Sequence, residues 1–177
     1  MKSKTVLAIA SICLLAVGCK SRTAMEYNNM IVKEQKSLNQ SMDQTEPNLK
    51  NYFEAYQYDS IANVSSRMEA KIDSIIKYIN SKPVPRVKQG ENFKKAALNY
   101  FGYMKSIYTS YKNYGLQTTP QGRQFQLQVM SQVTGQEDKA IADMQRAQKI
   151  FAKDNGFKIQ SEKKSQSSSF TASPASQ

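Results

Sequence analysis

Residues 92–115 read NFKKAALNYFGYMKSIYTSYKNYG, and this stretch carries the most regular hydrophobic pattern in the chain. Spacing by alternate steps of four and three residues places apolar side chains on one face of an α-helix. The residues that follow this spacing are Phe93, Ala97, Tyr100, Met104, Ile107 and Tyr111. We therefore predict an amphipathic helix that starts at Asn92 and ends in a turn at Gly115.

A long helix is predicted upstream. Thr23 and Glu26 have the spacing of a capping box, which marks a helix start. The apolar phase is the same before and after Pro47, which favours one helix kinked there. The alternative is two helices, the second opened by Thr45-Glu46-Pro47. The predicted apolar face is Tyr27, Met30, Ile31, Leu38, Met42, Leu49, Tyr52 and Tyr56.

Two more helices are indicated by their caps. Asp59 is the predicted N-cap of the second helix, and Thr119 with Pro120 suits the N-cap and first position of the fourth. Gly156 suits the left-handed turn that ends the fourth helix, with Phe157 as its apolar contact. The second apolar face is Ile61, Val64, Met68, Ile72, Ile75 and Ile79. The fourth is Met130, Val133, Ile141, Met144 and Phe151.

These four segments predict the fold class. Amphipathic helices with short links and no strand alternation favour an all-α protein, an up-down-up-down four-helix bundle over residues 23–159. Residues 160–177 are rich in Ser, Gln and Lys, and predict a disordered C-terminal tail.

The N-terminus reads as an export signal. Lys2 and Lys4 precede thirteen largely apolar residues, fewer than the roughly 20 that span a bilayer. Because the apolar run reaches Cys19 directly, we predict a lipoprotein signal peptide at 1–18 and a lipid-anchored tether at 19–22. Cys19 would carry acyl chains such as palmitate. Ordinary secretion is the alternative, since Ala16-Val17-Gly18 also suits signal peptidase and Leu15 lies one position further from Cys19 than in the usual lipobox.

A set of short motifs resembles a known family. Tyr27-Asn28 with Ile31, Ala96-Ala97 with Tyr100, and Ala147-Gln148-x-x-Phe151-Ala152-x-x-x-Gly156-Phe157 are similar to a family of uncharacterised bacterial surface lipoproteins with a helical-bundle core. The resemblance implies a lipid anchor, an envelope location and a four-helix fold. It implies no activity and no functional residues.

The composition argues against an enzyme. The chain has no histidine, and Cys13 lies within the predicted signal, so the mature chain would hold one thiol. We predict no catalytic residue, no metal and no cofactor. Glu34 and Glu137 lie near the centres of two apolar faces, but a di-iron bundle also needs Glu-x-x-His pairs. We expect the two glutamates to lie at different heights, and each to pair with a tyrosine hydroxyl or a basic side chain or to lie where the bundle opens.

Aromatic and basic side chains are concentrated in the third helix. Its tyrosines can stack on sugars or fill a wide helix interface, and their single broad arc favours the core. They are Tyr100, Tyr103, Tyr108, Tyr111 and Tyr114. On the flank of that arc, Lys94, Lys105 and Lys112 can grip an acidic polymer or lay their stems over a helix seam, and the seam is favoured.

The charge favours anionic partners. Without Lys2 and Lys4, 23 basic and 14 acidic residues leave a net charge of +9. The export signal makes nucleic acid the least favoured anion. We predict membrane lipid as one partner, through acylated Cys19, and an envelope protein or glycan as another. Lys20 after the cysteine favours the outer membrane, while its periplasmic or surface face is not indicated.

The topology predicts a basic pole beside the anchor, although chance clustering is the alternative. An up-down-up-down bundle returns the 82–90 link and the end of the fourth helix to the end where the first helix starts. The basic residues expected there, in contact with the membrane surface, are Lys20, Arg22, Lys82, Arg86, Lys88, Lys153, Lys158, Lys163 and Lys164. Residues 56–59 and 116–119 would then face a partner. We predict a non-enzymatic interaction protein, and the alternative is a lipoprotein that holds a small apolar or acidic ligand between its helices.

Overall fold

Helices make up most of the chain that the structure describes. The computed structural model describes residues 7–159, and for residues 7–19 the backbone only. The helices are α1 (Leu7–Glu54), α2 (Tyr58–Ser81), α3 (Gly90–Gly115), α4 (Pro120–Thr134) and α5 (Glu137–Asp154). No strand occurs within residues 7–159. Because only two residues separate α4 from α5, they act as the fourth helix of the bundle, and the predicted all-α four-helix fold is confirmed. The predicted tail at 160–177 lies outside the described residues.

Three of the four interfaces between neighbouring helices of the bundle are closely packed, and the fourth is not. α3 packs against α2, α4 and α5, and α1 packs against α2. The contact between α1 and α5 is slight. Since α3 has neighbours on several sides, Phe101 and Tyr108 are buried as well as its predicted face. The bundle therefore has one incompletely closed seam, between α1 and α5.

The predicted apolar faces form the core. In α2 and α3 every residue of the predicted face is buried. In α1 the buried members are Tyr27, Ile31, Leu38 and Leu49, and in the fourth helix they are Met130, Met144 and Phe151. Tyr56 is an exception, because it follows α1 in a left-handed turn with a φ of 55° and is 62% exposed. The tyrosines of α3 fill the core as expected.

The first helix starts earlier than the capping box predicted. α1 passes through residues 19–22, the predicted tether, and through Thr23. Glu26 pairs with Arg22 at 3.0 Å instead of capping a helix start. The run before Thr23 contains good helix formers and no proline, so nothing local stops the helix. α1 is also continuous through Pro47, as the apolar phase indicated.

Three other helix boundaries differ from the prediction. α2 begins at Tyr58, so Asp59 lies in its first turn instead of capping it. α3 begins at Gly90 instead of Asn92. The fourth helix is interrupted at 135–136, where glycine has a low helix propensity. Just before the break, the Thr134 hydroxyl donates to the carbonyl of Met130 at 3.0 Å.

Both predicted caps of the fourth helix are present. The hydroxyl of Thr119 accepts a hydrogen bond from the Gly122 amide at 3.1 Å. At the other end Gly156 has a φ of 71°, and the amide of Phe157 donates to the carbonyl of Ala152 at 3.1 Å. This is a Schellman turn, and the ring of Phe157 contacts Phe151 as such turns favour.

Two glycines of α3 give a matched test of helix packing. An alanine Cβ at Gly115 would lie 2.5 Å from the carbonyl oxygen of Tyr58 and 2.7 Å from the amide of Ala62, both backbone atoms. At Gly102 it would meet nothing within 4 Å. We expect Gly115→Ala to lower the free energy of unfolding by about 1–3 kcal/mol through overpacking. We expect Gly102→Ala to raise it by about 0.5–1 kcal/mol. Urea unfolding of both variants measures this, and a stabilised Gly115→Ala would contradict the close α2–α3 approach.

Candidate functional site

An open groove lies along the α1–α5 seam. Its volume is about 880 Å³. α1 contributes one wall between Met25 and Lys36, Tyr100 of α3 lies between the walls, and α5 with residues 158–159 contributes the other. One hydrogen bond joins the walls, from the Gln148 amide to the Asn28 side-chain oxygen at 2.9 Å. The groove exists because α1 and α5 pack lightly.

Three kinds of side chain line this groove. The apolar ones are Met25, Val32, Tyr100, Ile141, Met144 and Ile159. The carboxamides are Asn28, Asn29, Gln35, Gln145 and Gln148, and the charged ones are Lys33, Lys36, Lys149 and Lys158. No carboxylate is among the described residues that line it. The groove therefore offers an apolar surface beside hydrogen-bonding groups and positive charge.

A second, much smaller cavity lies further along the same seam. It has a volume of about 10 Å³, roughly the space of one water molecule. Glu46 of α1 and Glu137 of α5 line it together with Tyr108 and Tyr111 of α3. The remaining lining residues are Met42, Ile107 and Thr134. This cavity brings two carboxyl groups and two tyrosines together, and we call it the acidic cavity.

Burial and like charge alter the titration of the acidic cavity. Burial, with Asp43 and Glu137 nearby, raises the pKa of Glu46 from an ordinary 4.5 to about 7. Burial and the charge of Glu46 raise the pKa of both Tyr108 and Tyr111. The tyrosines therefore stay neutral, while Glu46 changes its charge near neutral pH. Within the described chain, no group of three or more His, Cys, Asp or Glu side chains is arranged to hold a metal ion.

The carboxyl that faces Glu137 is not the one singled out in the sequence. Glu34 is partly buried and lines neither cavity, so it does not face Glu137, in agreement with the expected difference in height. Glu46, about three turns further along α1, shares the acidic cavity with Glu137 instead. Glu137 does lie beside tyrosines, as predicted. A signal for Glu46 existed, because it lies four residues after Met42 and three before Leu49, on the apolar face of α1. Thr45-Glu46-Pro47 also has the pattern of a helix start, which favoured a capping role for this segment.

Replacing Glu46 by glutamine should change the pH dependence of stability. An acid with a raised pKa in the folded state stabilises the fold fully below its ordinary pKa and loses that contribution as pH rises through the folded pKa. Stability should therefore fall between about pH 4.5 and 7. Allowing for solvent screening, we expect Glu46→Gln to add about 1–2 kcal/mol at pH 8 and much less at pH 4.5. Urea unfolding at both pH values measures it.

The exposed Glu54 of the same helix provides the control. We expect Glu54→Gln to change stability by less than about 0.5 kcal/mol at both pH values, because surface charges contribute little. An equal gain from Glu46→Gln at pH 4.5 and pH 8 would contradict the proposed burial of its charge.

The three lysines on the flank of α3 bind α2. Lys105 forms an ion pair with Asp73 at 2.8 Å, and Lys112 pairs with Glu69. Lys94 donates to the carbonyls of residues 80 and 82 at 3.0 and 2.9 Å. Although burial acts to raise the pKa of Glu69, its hydrogen bonds with Lys112 and Thr109 hold that pKa below its ordinary value. These amines lie over the α2–α3 seam, so the acidic-polymer interpretation has no support here.

Three distant segments meet at the end of the bundle near Cys19. The Ser21 hydroxyl donates to the Gly156 carbonyl at 3.4 Å, and the Asn155 amide donates to the Lys88 carbonyl at 2.8 Å. The start of α1, the 82–90 link and the end of α5 therefore lie together, as the topology predicted. Tyr27 packs there against the rings of Phe93 and Phe151. We call this end the basic pole.

Most predicted basic residues of this pole are exposed. The exposed ones are Lys20, Arg22, Arg86, Lys88, Lys153 and Lys158. Lys82 is partly buried, with its ammonium 4.5 Å from the centre of the Tyr78 ring. The described acidic residues in and next to these segments are fewer than the basic ones. They are Glu26, Glu91 and Asp154. Lys163 and Lys164 lie outside the described residues. Whether these side chains contact a membrane stays a prediction.

The opposite end of the bundle exposes apolar side chains. Gly115 packs against the backbone of Tyr58, and Arg123 stacks on the Tyr58 ring at 4.2 Å while donating to the carbonyl of Gln117. The links 56–59 and 116–119 are thus neighbours. The exposed side chains here are Tyr56 at 62%, Leu116 at 61% and Phe125 at 60%. We call this end the distal pole.

Comparisons with protein families, with curated proteins and with solved structures found no match to this chain. In the part of the chain that the structure describes, no helix combines the length and apolar character required to cross a bilayer. The resemblance to surface lipoproteins therefore stays a prediction.

Proposed function

We propose that the protein is a non-enzymatic interaction protein of the cell envelope, anchored in the outer membrane by acylated Cys19. The observation that carries the proposal is the basic pole. Residues from three segments, far apart in sequence, lie at the same end as Ser21, two residues after the proposed anchor. A lipid anchor at Cys19 would bring this end of the bundle against the headgroups.

The charge of the basic pole supports contact with an anionic surface. A basic side chain near anionic headgroups contributes about 1 kcal/mol, and the effect fades within a Debye length. Arg86 and Lys88 project from the short 82–90 link, and Lys153 and Lys158 flank the end of α5. Their attraction to lipid would add to the anchor and hold the bundle in one orientation.

The distal pole is the proposed partner surface. The helix from the anchor to Glu54 is about 50 Å long, so this pole would stand well away from the membrane. Aromatic side chains are enriched at protein interfaces, and Tyr56 is exposed on a left-handed backbone held between two helices. Leu116 and Phe125 extend the same surface. An envelope protein or glycan is the proposed partner.

Vesicle binding tests the membrane-facing role. The mature chain with Cys19→Ser retains every described core residue but carries no lipid. We expect it to bind vesicles of anionic phospholipid and not vesicles of neutral phospholipid. Replacing Lys82, Arg86 and Lys88 by glutamine should weaken that binding about tenfold to a hundredfold, because three surface attractions of about 1 kcal/mol are lost.

A charge-matched variant makes the test specific. Replacing Lys50, Arg67 and Lys139 by glutamine removes the same amount of positive charge, but at exposed positions away from the basic pole. We expect this variant to bind almost as tightly as the parent in a vesicle co-sedimentation assay. Equal losses in the two triple variants, or equal binding to neutral vesicles, would reject the membrane-facing pole.

A further inference from the structure

The α1–α5 groove runs along the side of the bundle and shares only Lys158 with the basic pole among the residues described. It is elongated, since its wall from Met25 to Lys36 covers about 16 Å of helix. Its volume of about 880 Å³ lies within the range of about 300–1,000 Å³ that is typical of small-molecule sites. The slight α1–α5 contact leaves it open along its length. An elongated ligand of modest size is therefore favoured over a compact one.

The apolar part of the lining is suited to a flexible chain. Met144 is 3% exposed and Tyr100 is 6% exposed, so both close the floor of the groove, while Met25, 40% exposed, adds accessible apolar surface at one end. Val32 and Ile141 contribute from the two walls. Methionine is unbranched and adapts to irregular apolar ligands. An acyl chain would match this surface.

The charged part of the lining selects an anion. Lys33 is on α1, Lys149 is on α5 and Lys158 follows α5, so positive charge lies on both sides. Among the described residues, none of the ion pairs includes these three lysines. No carboxylate lines the groove in that part of the chain. Lysine binds phosphate as a point charge. A bound anion could therefore pair with several lysine ammonium groups whose charge no carboxylate in the groove neutralises.

The carboxamides indicate what else the ligand carries. Asn29 and Gln35 offer the groups that remain beside their own hydrogen bonds, since the Asn29 oxygen accepts from the Asn28 amide at 3.3 Å. Gln35 forms its hydrogen bond with the Tyr100 hydroxyl. Gln145 offers both a donor and an acceptor. A glycerol backbone with an ester carbonyl and a free hydroxyl uses both, whereas a fatty acid offers only its carboxylate. Since Lys158 also belongs to the basic pole, the groove opens beside the surface proposed to face the membrane.

We propose that the α1–α5 groove binds one anionic lysophospholipid, with its acyl chain on the apolar base and its phosphate between the lysines of the two walls. The inference rests on the proposed function only in placing this end of the groove near lipid. Binding in solution does not require a membrane, so the two proposals fail separately.

Calorimetric titration of the mature Cys19→Ser chain tests the site. The probes are lysophosphatidylglycerol, which is anionic, and lysophosphatidylcholine, which is zwitterionic, both below their micelle concentrations. We expect saturable binding of one molecule, at least tenfold tighter for the anionic lipid. Lys33→Gln with Lys149→Gln should weaken it at least tenfold. Both lysines are exposed, and an unchanged melting temperature of the free variant verifies its fold.

Two further variants complete the test. Lys50→Gln with Lys139→Gln removes equal charge outside the groove and should leave binding unchanged. Val32→Asp places a carboxylate on the wall and should abolish binding of the anionic lipid. Equal affinity for both lipids, no binding of either, or equal losses in the two lysine pairs would overturn the proposal. Binding of an oligoglutamate peptide without binding of the lipid would overturn it too and indicate a protein-docking surface.

Discussion

Replacing Phe151 by alanine is expected to lower the free energy of unfolding by about 3–5 kcal/mol, the usual range for a buried phenylalanine. Phe151 is fully buried and stacks on Phe93 with ring centres 4.8 Å apart. Tyr27 and Phe157 pack against its edges at 6.3 and 5.8 Å. These rings come from α1, α3, α5 and the turn after α5. The cavity that the missing Phe151 ring leaves would therefore weaken the packing among α1, α3 and α5 at the basic pole.

Phe125 is the matched control, because it is the same residue type at 60% exposure in α4. We expect Phe125→Ala to change stability by less than about 0.5 kcal/mol. Urea unfolding and thermal melts of the two variants measure the difference. A larger loss at Phe125 than at Phe151 would show that the core is placed incorrectly.

Replacing Cys19 by serine is expected to abolish acylation and release the protein from the membrane. Each buried methylene of an acyl chain contributes about 0.8 kcal/mol, so two or three chains would make attachment effectively permanent. The charge of the basic pole, at about 1 kcal/mol per residue, cannot replace such an anchor. The variant should remain soluble or unprocessed.

Metabolic labelling with a fatty-acid probe, followed by fractionation, measures this loss. Cys13→Ser is the control, since it changes the other cysteine of the chain within the predicted signal peptide. We expect its labelling to equal that of the parent protein. Labelling of the Cys19→Ser variant at the parent level would exclude Cys19 as the acylated residue.

Local signals predicted the helices well because they depend on neighbouring residues. The apolar face of α2 and the cap at Thr119 were readable from spacing and residue type, and both are confirmed. The predicted start of α1 at Thr23 was wrong, because the helix continues through this residue. Glu26, which was expected to take part in the cap, pairs with Arg22 one turn earlier. The break at 135–136 was missed, because the apolar phase continues across it.

The site was harder to predict, because it depends on which faces meet. Glu137 was expected beside a tyrosine, but Glu46 was not chosen as its counterpart. The relative heights of α1 and α5 decide that pairing. The positions of Glu34 and Glu137 along their helices predicted that these two residues differ in height, but periodicity alone did not say which residue of α1 lies level with Glu137. The contact of Asn28 with Gln148, 120 positions apart, has the same origin.

The sequence by itself determined that this chain forms amphipathic helices, which of their faces are apolar, and where the caps at Thr119 and Gly156 lie. Those properties follow from the 3.6-residue period and from backbone preferences within a few residues. Only the tertiary structure decided that α1 and α5 stay apart and leave a groove rimmed by lysine, and that Glu46 meets Glu137. The physical reason is that side chains across a seam meet through the rotation and axial offset of whole helices. The packing of the entire core sets these quantities, and no single segment encodes them.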